Sequence, residues 1–298
     1  MVNKIYDYAI IGAGPAGCFL AHELHKKDKK VILFEKQVKG FRKVCGDGLS
    51  KGCVELLKSS DFPFENLTAL GAKKIEKTIL YNGDGIKKEG DFAPEEPCPY
   101  AISRDLLDGA FQDWILGEGI EIQFQAEVTS AQAQEGGYLI NGCLCKEYIV
   151  ASGVYAKDPT TGMPIHKLKD APIGMAMIVK QKSQQKPFFL FDRSSKFLGA
   201  YGWIFKLEND LWNIGVWLKE DKSSLKGLFE EFVDSRVSEY LGRDYEVIVP
   251  PRSASLAITN ASAQPYCIGD ASGTCDEENG EGISQAIRSA LVYAEKII

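Results

Sequence analysis

The residues best suited to chemistry lie near the start of the chain: Gly12, Gly14 and Gly17 in GAGPAG, and Glu35, which follows 18 residues after the last of those glycines. Gly12 permits a tight turn, Gly14 lets the backbone approach a pyrophosphate, and Gly17 lets a helix pack closely on a strand. A carboxylate at the distance of Glu35 accepts from ribose hydroxyls and repels a 2′-phosphate, so NADP is disfavoured here. The elements that must position these groups are written around them. YDYAII (6–11) reads as a buried parallel strand, CFLAHELHKK as a helix with Ala21 and Leu24 on its inner face, and KKVILFEK as a second strand. The free N–H groups of the helix start then face the phosphates. A glycine-rich turn without a ligand accounts for the glycines alone, not for the strand, helix and acid that accompany them.

The far end of the chain points from dinucleotides in general to FAD. PYCIGDASGTCDEENGEGI (265–283) places Gly269–Asp270 after a short apolar segment, and Gly280 and Gly282 open a helix at Ile283. That helix keeps Ile283, Ile287, Ala290, Leu291 and Ala294 at helical spacing. A second phosphate- and ribitol-reading segment suits a ligand as long as FAD, with Asp270 accepting from ribitol hydroxyls. The positive start of the 283–298 helix would favour the negative charge of a reduced flavin ring.

The constellation resembles the p-hydroxybenzoate hydroxylase-like flavoprotein superfamily, and most closely its geranylgeranyl reductase branch. Four segments carry the likeness: GAGPAG with Glu35; Lys43-Val-Cys45-Gly46-Asp47-Gly48, like the reductases' K-x-C-G-x-G; Tyr100-Ala-Ile-Ser-Arg104 followed by an amphipathic helix; and Tyr201-Gly-Trp203-Ile-Phe205 with Asn213-Ile-Gly215, like their Y-x-W-x-F-P…N-x-G. The resemblance implies FAD contacts at Gly12, Gly14, Ala16, Gly17, Glu35, Lys36, Cys45, Gly46, Arg104, Gly269, Asp270, Gly280, Gly282 and Ile283. It implies a substrate cavity lined by Tyr201, Trp203 and Phe205, which share one face of a strand; ordinary sheet core is the alternative for these three. Cys45 is the best candidate for an acid beside the isoalloxazine, with simple packing under the ring as its alternative. Departures stand beside the matches. Lys206 replaces the family's proline after Y-x-W-x-F, Ser152-Gly153 replaces an Asp-Gly, and Glu277 stands where a proline usually faces the flavin edge. Glu277 is therefore expected either to lower the flavin potential or to serve as a second proton donor, unless its acidic loop swings into solvent. The sequence ends with the 283–298 helix where relatives continue, which implies a more open or smaller pocket.

The expected fold is α/β: a discontinuous Rossmann-like FAD-binding domain (1–75, 100–157 and 254–298) and an inserted substrate domain (76–99 and 158–253) of antiparallel β-sheet plus helix. KTILYNGDGIKKEG reads as a hairpin turning at Asn82-Gly83 or Asp84-Gly85. PIGMAMIVK, KPFFLFD, LGAYGWIF and LWNIGVWL read as strands, and SLKGLFEEFVDSRVSEYL as an amphipathic helix. PRSASLAI (251–258) reads as a crossover back to the first domain.

Composition narrows the function. Lys+Arg total 35 against 41 Asp+Glu, a net charge of -6 that argues against nucleic-acid binding. Eight scattered cysteines without a CxxC pair, and only three histidines (His22, His25, His166), argue against a metal site, a dithiol exchanger and a Ser-His-Asp enzyme. No second GxGxxG provides an NAD(P)H domain, and no cluster of four cysteines provides an iron–sulfur centre. The expected location is the cytoplasm, with peripheral membrane contact left open. The reading is an FAD-dependent oxidoreductase that reduces carbon–carbon double bonds of an isoprenoid or other apolar unsaturated substrate. A lipid or apolar small molecule and an external donor, NAD(P)H or ferredoxin-like, would be its partners; the oligomeric state is open. A flavin monooxygenase and a flavin-binding protein without turnover remain alternatives.

Overall fold

A computed structural model describes residues 4–93, 97–169, 171–183, 185–194, 201–219, 224–256, 258 and 266–297. The start of the LGAYGWIF run (198–200) lies outside the described residues, as do Pro265 and Ile298. The chain divides into two compact units: 1–41, 107–169 and 257–298, and 42–106 with 170–256.

The first unit is built on a six-stranded sheet in the order β8-β2-β1-β11-β10-β9. Its strands are β1 (Ile5–Ile11), β2 (Val31–Phe34), β8 (Glu121–Gln123), β9 (Gln132–Gln134), β10 (Gly137–Ile140) and β11 (Cys143–Val150). β1 lies parallel to β2 and β11, and β2 parallel to β8. Buried on both faces, these central strands read as continuous apolar runs, the pattern that parallel sheets need. Helix α1 (Pro15–Lys26) takes Pro15 at its first turn, where a missing N–H costs nothing. α1 packs on α7 (Ile283–Glu295). Phe19 of α1 meets Phe111 and Trp114 of α4 (Arg104–Gly117) with ring centroids 5.4 and 5.1 Å apart.

The second unit holds a seven-stranded sheet in the order β16-β12-β15-β14-β13-β5-β6. These are β5 (Lys77–Tyr81), β6 (Lys87–Asp91), β12 (Ile173–Lys180), β13 (Phe188–Asp192), β14 (Tyr201–Lys206), β15 (Leu211–Leu218) and β16 (Glu246–Ser255). β5 and β6 form the expected antiparallel hairpin. A small sheet joins β3 (Gly48–Leu49) and β4 (Lys73–Lys74) to β7 (Tyr100–Ala101), with α2 (Lys51–Ser59) and α3 (Glu65–Ala69) between them in sequence. The amphipathic helical stretch is α5 (Leu225–Phe232) and α6 (Ser238–Leu241) joined by a π-helical turn at Val233–Val237.

Two expectations differ from this arrangement. Residues 42–75, 100–106 and 254–256, assigned by sequence to the nucleotide domain, count with the second unit, where β3 and β4 pair with β7, and residues 158–169, assigned to the substrate domain, count with the first. Residues 251–255, read as a crossover, end the edge strand β16 instead. Its register against β12 shifts between Arg252 and Val249, where Pro250 and Pro251 stand. Proline lacks the ladder N–H and is tolerated on an edge or at such a bulge.

Candidate functional site

In the first unit, the glycine turn is tied to the sheet it leaves. The Gly12 N–H donates to the Phe34 carbonyl at 2.8 Å. Gly12 has φ +111, and a Cβ there would stand 2.6 Å from the Ala151 carbonyl oxygen, so only glycine fits. A Cβ on Gly17 would lie 2.0 Å from the Gly12 oxygen, which is the close approach of helix to strand that this position demands. Glu35, 7% exposed at the end of β2, accepts from the Ala13 N–H at 2.9 Å and from the Gln37 N–H at 3.0 Å. One carboxylate thus closes the turn after β1 onto the end of β2. Buried Gln112 of α4 braces the same turn, donating to the Ala13 oxygen at 2.9 Å and accepting from the Gly40 N–H at 3.0 Å. Ala16 is buried within α1, and Lys36 is exposed just past β2.

The carboxy-terminal segment belongs to the same unit. Gly269 and Asp270 begin a short 3₁₀ turn (Gly269–Ser272). Gly269 has φ +59, and a Cβ there would meet the Ala16 Cβ at 2.9 Å, so the Gly269–Asp270 turn lies directly on the first turn of α1. A Cβ on Gly282, the residue before α7, would stand 3.4 Å from Oδ1 of Asp270. Gly280 turns the loop at φ +69, and Ile283 is buried at the start of α7. Neither α1 nor α7 has a side-chain cap or an acidic residue in its first turn. Their leading N–H groups therefore suit an anionic or electron-rich ligand. His166, 6% exposed, donates from Nε2 to the Asp270 carbonyl at 2.8 Å and so pins that turn. Sequence reasoning counted His166 only as a histidine too isolated for zinc; no local signal links it to a partner 104 residues away.

The loop of Glu277 is organised by its neighbour. Asp276 Oδ1 accepts from the N–H groups of Glu278 and Asn279 at 2.9 and 3.0 Å, which turns Glu277 and Glu278 to the exposed side.

In the second unit, three segments that the sequence singled out converge. Gly46 and Gly48 lie against the rings of Trp203 and Phe205, where a Cβ would come within 3.5 Å of Trp203 Nε1 and 3.1 Å of a Phe205 ring carbon. Trp203 is 7% exposed and its indole N–H donates to Oδ1 of Asn213 at 2.8 Å. Phe205 is buried against Phe189, with centroids 4.1 Å apart, while Tyr201 stays half-buried. Cys45 is half-buried; its Sγ accepts from the Asp47 N–H at 3.4 Å and faces the Arg104 guanidinium. Burial pushes the thiol up, against the opposing pull of Arg104, so Cys45 keeps its proton at neutral pH. Arg104, the first residue of α4, is itself buried, and its backbone N–H donates to Asp47 at 3.1 Å. Asp47, Arg42 and Asn213 complete the cluster without having been assigned a role from sequence, although Asp47 and Asn213 stand inside the matched segments.

The chain is similar to known flavoproteins. The family model described as an FAD binding domain matches residues 6–139. A digeranylgeranylglycerophospholipid reductase from Methanosphaera stadtmanae is 25% identical over 97% of this chain and 76% of its own length. A menaquinone reductase from Mycolicibacterium smegmatis is 23% identical over 99% of this chain and 76% of its own. Among solved structures, a geranylgeranyl bacteriochlorophyll reductase-like protein from Thermoplasma acidophilum superposes with a TM-score of 0.76 at 18% identity, over 98% of this chain and 77% of that one. A flavin-dependent brominase does so with a TM-score of 0.75 at 17% identity, over 98% and 78%. The chain is an FAD-dependent oxidoreductase that resembles geranylgeranyl reductases. This flavoprotein takes FAD as its cofactor. The glycine cradles, the two uncapped helix starts and the buried Glu35 are a donor and acceptor set that fits it. No described helix is long and apolar enough to cross a membrane.

Proposed function

We propose that the protein reduces carbon–carbon double bonds of an isoprenoid or another apolar unsaturated substrate. The observation that carries the reading is the convergence, in one unit, of the Cys45-Gly46-Asp47-Gly48 turn with Trp203, Phe205 and Asn213. Reductases named for digeranylgeranylglycerophospholipid and menaquinone among the relatives support an unsaturated prenyl substrate.

FAD supplies the hydride once it is reduced by an external donor, NAD(P)H or a ferredoxin-like protein. The residues of the chain do the rest. Within the first unit, Gly12, Gly14, Ala16, Gly17, Glu35, Gly269, Asp270, Gly280, Gly282 and Ile283 hold the cofactor. Tyr201, Trp203 and Phe205 offer apolar ring surface that orients the substrate and excludes water. Cys45, neutral at physiological pH, holds a proton at Sγ for the carbon that does not receive hydride. A lipid substrate would be met at a membrane surface, so the reading implies peripheral contact with the bilayer.

The test is anaerobic photoreduction of the FAD-loaded protein followed by addition of a geranylgeranyl lipid. Reoxidation with formation of the saturated product is expected. A reduced flavin that ignores allylic lipids but yields a hydroperoxide band with O2 would replace this reading with a monooxygenase, and one inert to both would favour a binding protein without turnover.

A further inference from the structure

The buried cluster around Asp47 has the design of a positioning device. Asp47 is 1% exposed and its backbone has φ +62, a conformation that Asp and Asn adopt more readily than other side-chain-bearing residues. A buried carboxylate is costly unless its lone pairs are filled. Here Oδ1 accepts from the Arg104 backbone N–H at 3.1 Å, and Oδ2 from Nδ2 of Asn213 at 2.7 Å and from the Arg42 guanidinium. Fully buried Asn213 extends the network in both directions. Its Nδ2 also reaches the Cys45 carbonyl at 2.6 Å, and its Oδ1 receives the Trp203 indole N–H at 2.8 Å.

We propose that Asp47 is a positioning residue of this oxidoreductase, locking the Cys45 turn to Asn213 and Trp203 and holding the Cys45 proton on Sγ. The proposal rests on the reading of Cys45 as a proton source. Among the described residues, the charges facing the pair are Arg42 and Arg104, with Asp105 beyond Arg42, which it pairs at 2.7 Å. The Arg104 guanidinium favours a thiolate at Cys45 and the Asp47 carboxylate opposes it. With Asp47 ionised, the two effects offset and the thiol keeps its proton. With Asp47 neutral, only burial opposes Arg104 and the Cys45 thiol becomes more acidic. Burial raises Asp47 itself to about 6, so the two states exchange near neutral pH.

The experiment follows alkylation of Cys45 in the FAD-loaded protein by iodoacetamide, mapped by peptide mass spectrometry across a pH series. In the wild type the logarithm of the rate should climb with pH, flatten near pH 6 as Asp47 ionises, and then climb again. Asp47→Asn suits the left-handed backbone and should lose the flattening while reacting about tenfold faster near neutral pH, because the carboxylate that opposes the thiolate is gone. Profiles that coincide in the two proteins, or a wild-type profile without the flattening, would overturn the proposal; the second criterion needs no variant to fold. A merely structural Asp47 would alter stability and FAD content but not this profile. Turnover of Cys45→Ala separates the two ideas: full activity would remove Cys45 as proton source, while the alkylation profiles alone judge Asp47.

Discussion

Glu35 has two backbone donors on its carboxylate, Ala13 and Gln37, and any ribose hydroxyl would add to them. Removing it takes away a charged acceptor and leaves the Ala13 N–H without its partner. Glu35→Ala should loosen FAD by about 1–3 kcal/mol, read by fluorescence titration of the apoprotein. An unchanged dissociation constant would remove Glu35 from the cofactor site. Asp47 makes a prediction of opposite character. Its folded value is raised from 3.8 to about 6, chiefly by burial, which outweighs the lowering by Arg42, Asn213 and Arg104. Folding therefore favours its neutral form. That contribution is complete below the unfolded value and is lost as pH rises through about 6, a swing of about 3 kcal/mol. Asp47→Asn does not titrate, so it should gain stability relative to wild type between about pH 4 and about pH 7. Urea midpoints at the two pH values measure this; a constant difference would mean the carboxylate is not desolvated in solution. Trp203→Phe keeps a buried ring but strands Asn213 Oδ1, and should cost about 1–3 kcal/mol in the same assay.

Among the elements, the turn before α1 and the Gly269–Asp270 turn depend on glycine for different reasons than the hairpin does. Gly269→Ala must place a methyl 2.9 Å from the Ala16 Cβ on a backbone at φ +59. Strain and overpacking together predict a loss of about 1–3 kcal/mol and weaker FAD retention. Gly83→Ala, in the turn between β5 and β6, meets nothing within 4 Å and has no such backbone demand. It should change stability by less than about 0.5 kcal/mol. Parallel thermal melts decide the matter: equal losses in the two variants would show that the Gly269 contact is relaxed in solution. The strand β14 carries its own contrast. Trp203 and Phe205 are buried against glycines and neighbouring rings, and Tyr201 is the member left half-buried. Tyr201→Ala should thus alter substrate affinity with FAD content intact, and full wild-type affinity would move the substrate site elsewhere.

For the whole molecule, a cofactor that binds only the folded chain adds stability by mass action. FAD at 100 times its dissociation constant should contribute about 2.7 kcal/mol, seen as a melting temperature that rises with FAD concentration. A melting temperature indifferent to FAD would contradict the assignment of the cradle formed by Gly12, Glu35 and Gly269.

Much of this architecture was legible because it follows local rules. A buried strand, a glycine turn, a helix with Pro15 at its start and an acid at the end of the next strand are each specified within a few residues. The hairpin of β5 and β6 and the four strands from β12 to β15 announced themselves through turn residues and apolar runs. Tertiary structure alone decided the rest. Residues 42–75 join the second unit through two-residue pairings that have no periodicity to read. Asp47 and Asn213 meet across 166 residues and His166 and Asp270 across 104. A polar residue's partner at such separation depends on how the whole chain packs, and its own neighbours in sequence say nothing of it. For Glu277, three adjacent acids favoured water while the family register favoured the flavin edge, and the Asp276 turn leaves its side chain exposed. The sequence by itself determined which residues can bind a dinucleotide and on what elements they ride. Long-range burial and hydrogen bonding decided which polar groups surround Cys45 and Trp203, because desolvation and pairing are properties of the packed chain.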